Sequence, residues 1–246
     1  MRLICPMFVL MCVVIPAATE AQPPATPTEP PPRWERKGEV SFVATGGNTD
    51  TQTLGLGSSI VWRPAPWTTE ARVAFVRSES NDALTAKSLL AEVRESRALN
   101  ERLEAFGRLG YLTNEFAGID HRTVIDGGVG YKVLTGPVHT LRLDGGVGFA
   151  RETRVTGEGL SDPIANLGAG YKWQISKTAD ITNATLFTAS LDAGSDWRFG
   201  NGIAVTAALT DLLSLKLSHD MKFVNKPVPG FEKTDTLLSF ALVAKF

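Results

Sequence analysis

The chain has 246 residues and carries 25 Lys and Arg against 26 Asp and Glu, a formal net charge of −1. That balance argues against a nucleic-acid partner. The length suffices for one large all-β domain or two ordinary ones. After the N-terminus no apolar run approaches the ~20 residues a membrane-spanning helix needs, and the 23 glycines are spread through strand-like segments.

Residues 1–21 read as a signal peptide. Arg2 gives a charged start, Leu3 to Ile15 an apolar core, and Pro16-Ala17-Ala18-Thr19-Glu20-Ala21 a small-residue exit, with cleavage after Ala18 or Ala21. Cys5 and Cys12 both lie inside this segment, so the mature chain is expected to be free of thiols, disulfides and Cys-metal sites. Met11 makes Cys12 a poor lipoprotein cysteine. Residues 22–33 open with QPPATPTEPPP, which cannot donate ladder hydrogen bonds, and read as a periplasmic linker rather than a ligand for a proline-binding partner.

From Arg36 onward about twelve segments alternate in polarity, at 37–46, 51–63, 67–78, 86–98, 102–113, 121–133, 139–151, 163–175, 179–191, 197–208, 212–223 and 235–246. The breaks at 64–66, 99–101, 134–138, 176–178 and 209–211 are short. Those at 79–85, 114–120, 152–162, 192–196 and 224–234 are mostly longer and richer in Gly, Asp and Asn, with Gly46 to Asp50 a short exception. Short turns at one end and long loops at the other are the asymmetry of a bacterial outer-membrane barrel, and an even strand number leaves both termini periplasmic.

Leu54, Leu56, Ile60 and Trp62 form one face of the second segment, and Leu141, Leu143, Val147 and Phe149 one face of the seventh. Thr123, Ile125, Val129, Tyr131 and Val133 do so in the sixth, and Leu213, Leu215, Leu217 and Met221 in the eleventh. The opposite faces are polar or tiny. The ninth segment is ambiguous, with Ile181, Phe187 and Leu191 on one face and Ala184 and Leu186 on the other. A soluble sandwich would also alternate. Three features favour lipid on the apolar side: glycines at successive polar-face positions, which fill a core poorly; aromatics at both ends of the segments; and a last strand, Thr236 to Phe246, that ends on an aromatic. Trp62, Trp67, Tyr131, Trp173 and Phe246 fall near the short turns, and Phe149, Trp197, Phe199 and Phe223 near the loops.

The run Trp34-x-x-x-Gly38-x-Val40-x-Phe42-x-Ala44-x-Gly46-Gly47-Asn48-Thr49-Asp50 resembles the family of salt-induced outer-membrane proteins, a YdiY-like domain family of unknown function. Phe116 to Arg122, Gly128-Val129-Gly130-Tyr131 and the final Lys245-Phe246 extend the likeness over residues 34–246. The resemblance implies an outer-membrane barrel with an envelope or stress-related role, and it carries over no catalytic residue.

An outer-membrane phospholipase offers the enzymatic alternative, using Ser, His and Asn on a lipid-facing wall. Here His219 lies on the apolar register and hairpin pairing brings Asn201 towards it, but the outward neighbours Leu217, Met221, Leu238 and Phe240 supply no nucleophile. His121 and His139 stand far apart without a carboxylate pair at ligand spacing. No catalytic, cofactor or metal residue is therefore assigned.

The inward register is charged with both signs: Glu70 with Arg72, Glu92 with Arg94, Glu104 with Arg108, Arg142 with Asp144, and Lys216 with Asp220 and Lys222. A selective pore more often shows a ring of one sign. Mixed signs can close a narrow bore by pairing, or set up a transverse field that orients a polar solute. The glycine pairs 55/57, 128/130, 146/148 and 168/170 share that face and either clear space or let strands bend.

The expectation is thus an all-β, transmembrane, antiparallel up-and-down β-barrel of about 12 strands over residues 34–246. It is monomeric and non-enzymatic, and sits in the outer membrane of a Gram-negative bacterium. Its partners are outer-membrane lipid and, through Phe246, the barrel-assembly machinery. The alternative role is a narrow channel for ions or small polar solutes.

Overall fold

The computed structural model describes residues 32–45, 51–81 and 83–246. The signal peptide expected at 1–21, most of the expected linker at 22–33 and the break expected at Gly46 to Asp50 lie outside the described residues. Among the described residues twelve strands follow one another. They are β1 (Trp34–Thr45), β2 (Thr51–Trp62), β3 (Trp67–Ser80), β4 (Ala83–Ala98), β5 (Leu103–Asn114), β6 (Ile119–Thr135), β7 (His139–Arg154), β8 (Leu160–Gln174), β9 (Ala179–Ser190), β10 (Trp197–Ala208), β11 (Leu213–Val224) and β12 (Thr234–Lys245). Each pairs antiparallel with its sequence neighbour, and β12 returns to β1 to close the ring. Closure gives the strands no free edge, the condition for β-structure in hydrocarbon. The closing seam is short, running from Lys37↔Lys245 to Val40↔Leu242.

No helix among the described residues is long and apolar enough to span a membrane, a fact that bears on helices alone. The apolar register faces outward. Phe42, Ile125, Val147, Leu167 and Leu238 are 61–69% exposed on the outer wall, an arrangement a soluble core would not tolerate and a lipid-facing wall requires. Aromatic pairs mark both rims. Trp34 stacks on Trp62 at 5.2 Å and His139 on Trp173 at 5.9 Å near the short turns, and Trp197 stacks on Phe223 at 4.9 Å near the long loops.

One expectation about register needs correction, and one ambiguity resolves. A bulge between Lys132 and Leu134 takes Val133 out of the ladder, so Leu134, paired with Leu141, is the exposed residue there. The sequence pattern cannot show this, because one inserted residue inverts the parity of everything after it. In β9 the ambiguity resolves with Phe187 opposite Phe199 on the outer wall, while Ala184 and Leu186 line the lumen. The outward polar residues of that region satisfy one another. Asn201 Nδ2 donates to Thr185 Oγ1 at 2.8 Å, and Thr185 Oγ1 donates to Asn183 Oδ1 at 3.1 Å. Asn201 lies across from Met221, while His219 faces Ile203 and Leu238, so no His-Asn pair forms.

Candidate functional site: the charged lumen

Successive inward residues of one strand stand roughly 7 Å apart, whereas directly opposed residues of neighbouring strands are about 5 Å apart. The lumen charges therefore bond mainly across strands, not along them. Near the short-turn rim Arg94 is the centre. Its Nη2 donates to Glu104 Oε1 at 2.7 Å and to Asp144 Oδ1 at 3.2 Å, and its guanidinium lies 4.0 Å from the centroid of the Phe106 ring. Arg142 reaches Asp144 at 3.3 Å, Glu104 at 3.7 Å and Glu70 at 3.5 Å. Glu70 stands on β3 and Arg142 on β7, so this pair bridges part of the bore rather than adjacent strands.

At mid-height Arg108 clasps Asp126 on β6, with Nη2 to Oδ2 at 2.5 Å. Asp126 also accepts from Asn166 Nδ2 at 2.8 Å, and Asn166 Oδ1 accepts from Thr188 Oγ1 at 2.7 Å. This chain ties β5 to β9 through one buried carboxylate. Towards the long loops three arginines share one acid. Glu152 Oε2 accepts from Arg122 Nη1 at 2.9 Å and Arg198 Nη2 at 2.8 Å, and Oε1 accepts from Arg154 Nε at 2.9 Å. The Glu152 side chain is 1% exposed.

The remaining predicted charges sit apart from these clusters. Arg72 pairs with Glu92 at 3.5 Å, and Lys216 Nζ donates to Glu39 Oε2 at 2.8 Å. Asp220 lies over Gly202, where an added methyl would stand 2.7 Å from its Oδ1. Asp126, Arg122, Arg198 and Glu39 were missed by sequence reasoning although they stand on inward registers. Glu152 and Arg154 were hidden for another reason, because β7 runs to Arg154 and the pattern placed 152–162 in a loop. Among the described residues no group of three or more His, Cys, Asp or Glu converges to hold a metal.

Pairs within and between adjacent strands and chords of up to four strands leave a cavity of about 670 Å³. Glu70, Arg72, Glu92 and Arg94 border it on one side, and on the other Gly168, Gly170, Ala184, Gly200 and Gly202 stand beside Arg198, Asp220 and Lys222. The inward glycines divide by role. A methyl on Gly128 would lie 2.0 Å from Gly145 O and one on Gly148 2.3 Å from Ile125 O, so these glycines permit close strand approach. A methyl on Gly110 or Gly170 would meet nothing within 4 Å, so those two border open space.

A closed antiparallel barrel with an apolar outer wall, aromatic rims and a charged lumen defines the class of outer-membrane β-barrel proteins. The solved structures agree on the fold. The NanC porin superposes with a TM-score of 0.50 at 10% identity, covering 86% of this chain and 97% of that one. The COG4313 outer membrane channel from Pseudomonas putida F1 superposes with a TM-score of 0.50 at 13% identity, covering 87% and 94%. At such identities the likeness establishes architecture alone. The chain belongs to the family described as protein of unknown function DUF481, which matches residues 38–246. The uncharacterized protein YdiY of Escherichia coli strain K12 is 25% identical over 161 residues, 65% of this chain and 62% of YdiY. The match thus spans less than two thirds of that relative.

Proposed function

We propose that the protein is a non-enzymatic, narrow outer-membrane channel for small polar or charged solutes. The observation that carries this reading is the 670 Å³ lumen cavity, bordered by charged side chains of both signs and, over β8 to β10, by glycine and alanine that leave it room. Full occlusion would require the ion pairs to meet across the bore. Several close on adjacent strands, and the longer chords, Arg94 to Asp144, Arg198 to Glu152 and Arg142 to Glu70, span three or four strands of the twelve, short of the six that separate opposite walls. Both signs at one level create a transverse field, which orients a dipolar solute and gives little preference between cations and anions. A role in the salt response, implied by resemblance, concerns expression and rests on no side chain of the lumen.

Conductance in planar bilayers tests the reading. Openings are expected to be small and weakly ion-selective. Gly110→Trp with Gly170→Trp places two rings in the open space those glycines border and should cut the conductance by about half or more. Heat-modifiable gel migration would confirm that the variant barrel is folded. Unchanged conductance in a folded double variant would show that current does not pass through this cavity.

The reading includes termini on the periplasmic side, a monomer, and a C-terminal assembly signal. Phe246 is 74% exposed beyond β12, and its backbone N–H donates to Arg36 O at 3.2 Å. Its ring lies beside Gly38 of β1 and is otherwise largely exposed, and deletion of Phe246 should lower the folded protein in the outer membrane and raise the periplasmic pool. It should leave the stability of already folded barrels nearly unchanged. Equal membrane yield would show that the terminal aromatic is incidental.

A further inference from the structure

The β11–β12 loop, residues 225–233, is anchored at its base and at one side of its tip, with Lys226, Pro229, Gly230, Glu232 and Lys233 exposed on its outer side. Its base is tied to the rim, where Asn225 N–H donates to Trp197 O at 3.0 Å and Asn225 Nδ2 donates to Ser195 O at 2.9 Å. Its tip is a tight turn over Val228-Pro229-Gly230-Phe231, closed by Phe231 N–H to Val228 O at 3.0 Å. Gly230 at φ +93 occupies the position of a type II turn that only glycine fills easily. Nine residues out and back can reach roughly 15 Å from the rim.

The tip lands on the β5–β6 turn, Glu115–Ala117 and Gly118. In the ring order that turn stands opposite the β11–β12 loop, so the loop crosses the mouth. Val228 is 3% exposed, unusual for the tip of a surface loop. Gly118 is in the left-handed region at φ +76, and a methyl there would lie 2.6 Å from Val228 Cβ and 2.8 Å from the Phe231 ring. The turn thus presents bare backbone to two apolar side chains. Beneath the crossing, Lys226, Val228 and Glu232 from the loop border the lumen cavity together with Asn114, Ala117 and Ile119 from the opposite wall.

We propose that residues 225–233 form a strap that gates the long-loop mouth of the lumen, latched by Val228 and Phe231 on Gly118. The gate rests on the channel reading above. The latch consists of two apolar side chains against a glycine, with polar strap residues on either side of them. It can therefore release without disturbing the ion-paired wall.

Labelling and conductance together test the strap. With Cys5 and Cys12 replaced by Ala, Val228→Cys is the only thiol of the chain. In vesicle-embedded protein a membrane-impermeant maleimide should label it roughly tenfold more slowly than Asp192→Cys, which is exposed on the β9–β10 loop. Adding Gly118→Leu drives a side chain into the space Val228 occupies and should bring its labelling up to the control rate. Gly118→Leu alone, and separately the replacement of residues 226–231 by Gly-Ser, should raise the open fraction in planar bilayers severalfold. Equal labelling of the two cysteines in the starting protein overturns the latch. Faster labelling without a change in the openings overturns the gate and leaves the channel standing. Silence of every form, once labelling shows the strap released, overturns the channel reading and the gate with it.

Discussion

Replacing Glu152 by Ala should destabilise the barrel by about 3 kcal/mol, a large effect for an inward-facing residue of a lumen that holds solvent-sized space. Glu152 is the common acceptor of Arg122, Arg154 and Arg198, three guanidiniums with side-chain exposures of only 11–16%. Removing the acid leaves three cations facing one another with their charge-assisted hydrogen bonds broken, and the repulsion adds to the lost desolvation balance. Water in the adjoining cavity can reach Arg122 and Arg198, which holds the cost near the lower end of the range for a broken buried pair. Glu152→Gln keeps an acceptor and should cost less. Glu92→Ala is the comparison. Its partner Arg72 stands 3.5 Å away with a side chain 56% exposed, so the loss should stay under about 1 kcal/mol. Urea unfolding in lipid vesicles measures all three. Equal midpoints for Glu152→Ala and Glu92→Ala would mean that the three-arginine cluster is relaxed by water and not held by the acid.

The architecture was legible because lipid imposes a two-residue period on every strand, and that period survives in a single sequence. Leu141, Leu143, Val147 and Phe149 alternate with Arg142, Asp144, Gly146 and Gly148, and no other local rule competes with the pattern there. The site was legible only in part, for two physical reasons. Parity shows which side chains face the lumen but not which neighbour each will meet, since pairing is set by the register between strands. Glu104 thus shares a register with Arg108 on its own strand yet bonds Arg94, while Arg108 bonds Asp126. Strand ends are the second reason. Charged residues in the last turn of a strand look like loop, and Glu152 and Arg154 were lost there. The strap was not legible at all. The sequence Val228-Pro229-Gly230-Phe231 announces a turn, but its landing on Gly118 is a contact between loops 110 residues apart that only ring closure brings together.

Substituting arginine on the outer wall should distinguish lipid from lumen by free energy. Leu167 stands at the middle of β8, is 64% exposed, and pairs with Gly145 and Phe187 on the outward register. Leu167→Arg therefore carries a charge to the bilayer midplane and is expected to cost about 2–4 kcal/mol. Gly110 on β5 faces the cavity, has nothing within 4 Å of where a Cβ would sit, and stands directly opposite Glu92 in the ladder. Gly110→Arg has room, solvent and an acidic cross-strand partner, so it should change stability by under about 1 kcal/mol. Refolding into vesicles across a urea series measures the difference. A thicker bilayer should enlarge the penalty at Leu167, because the guanidinium then has farther to reach towards the interface, and leave Gly110→Arg unaffected. If the two arginines cost the same, or if bilayer thickness moves neither, the outward register does not face lipid and the barrel's apolar wall must be covered by something other than membrane.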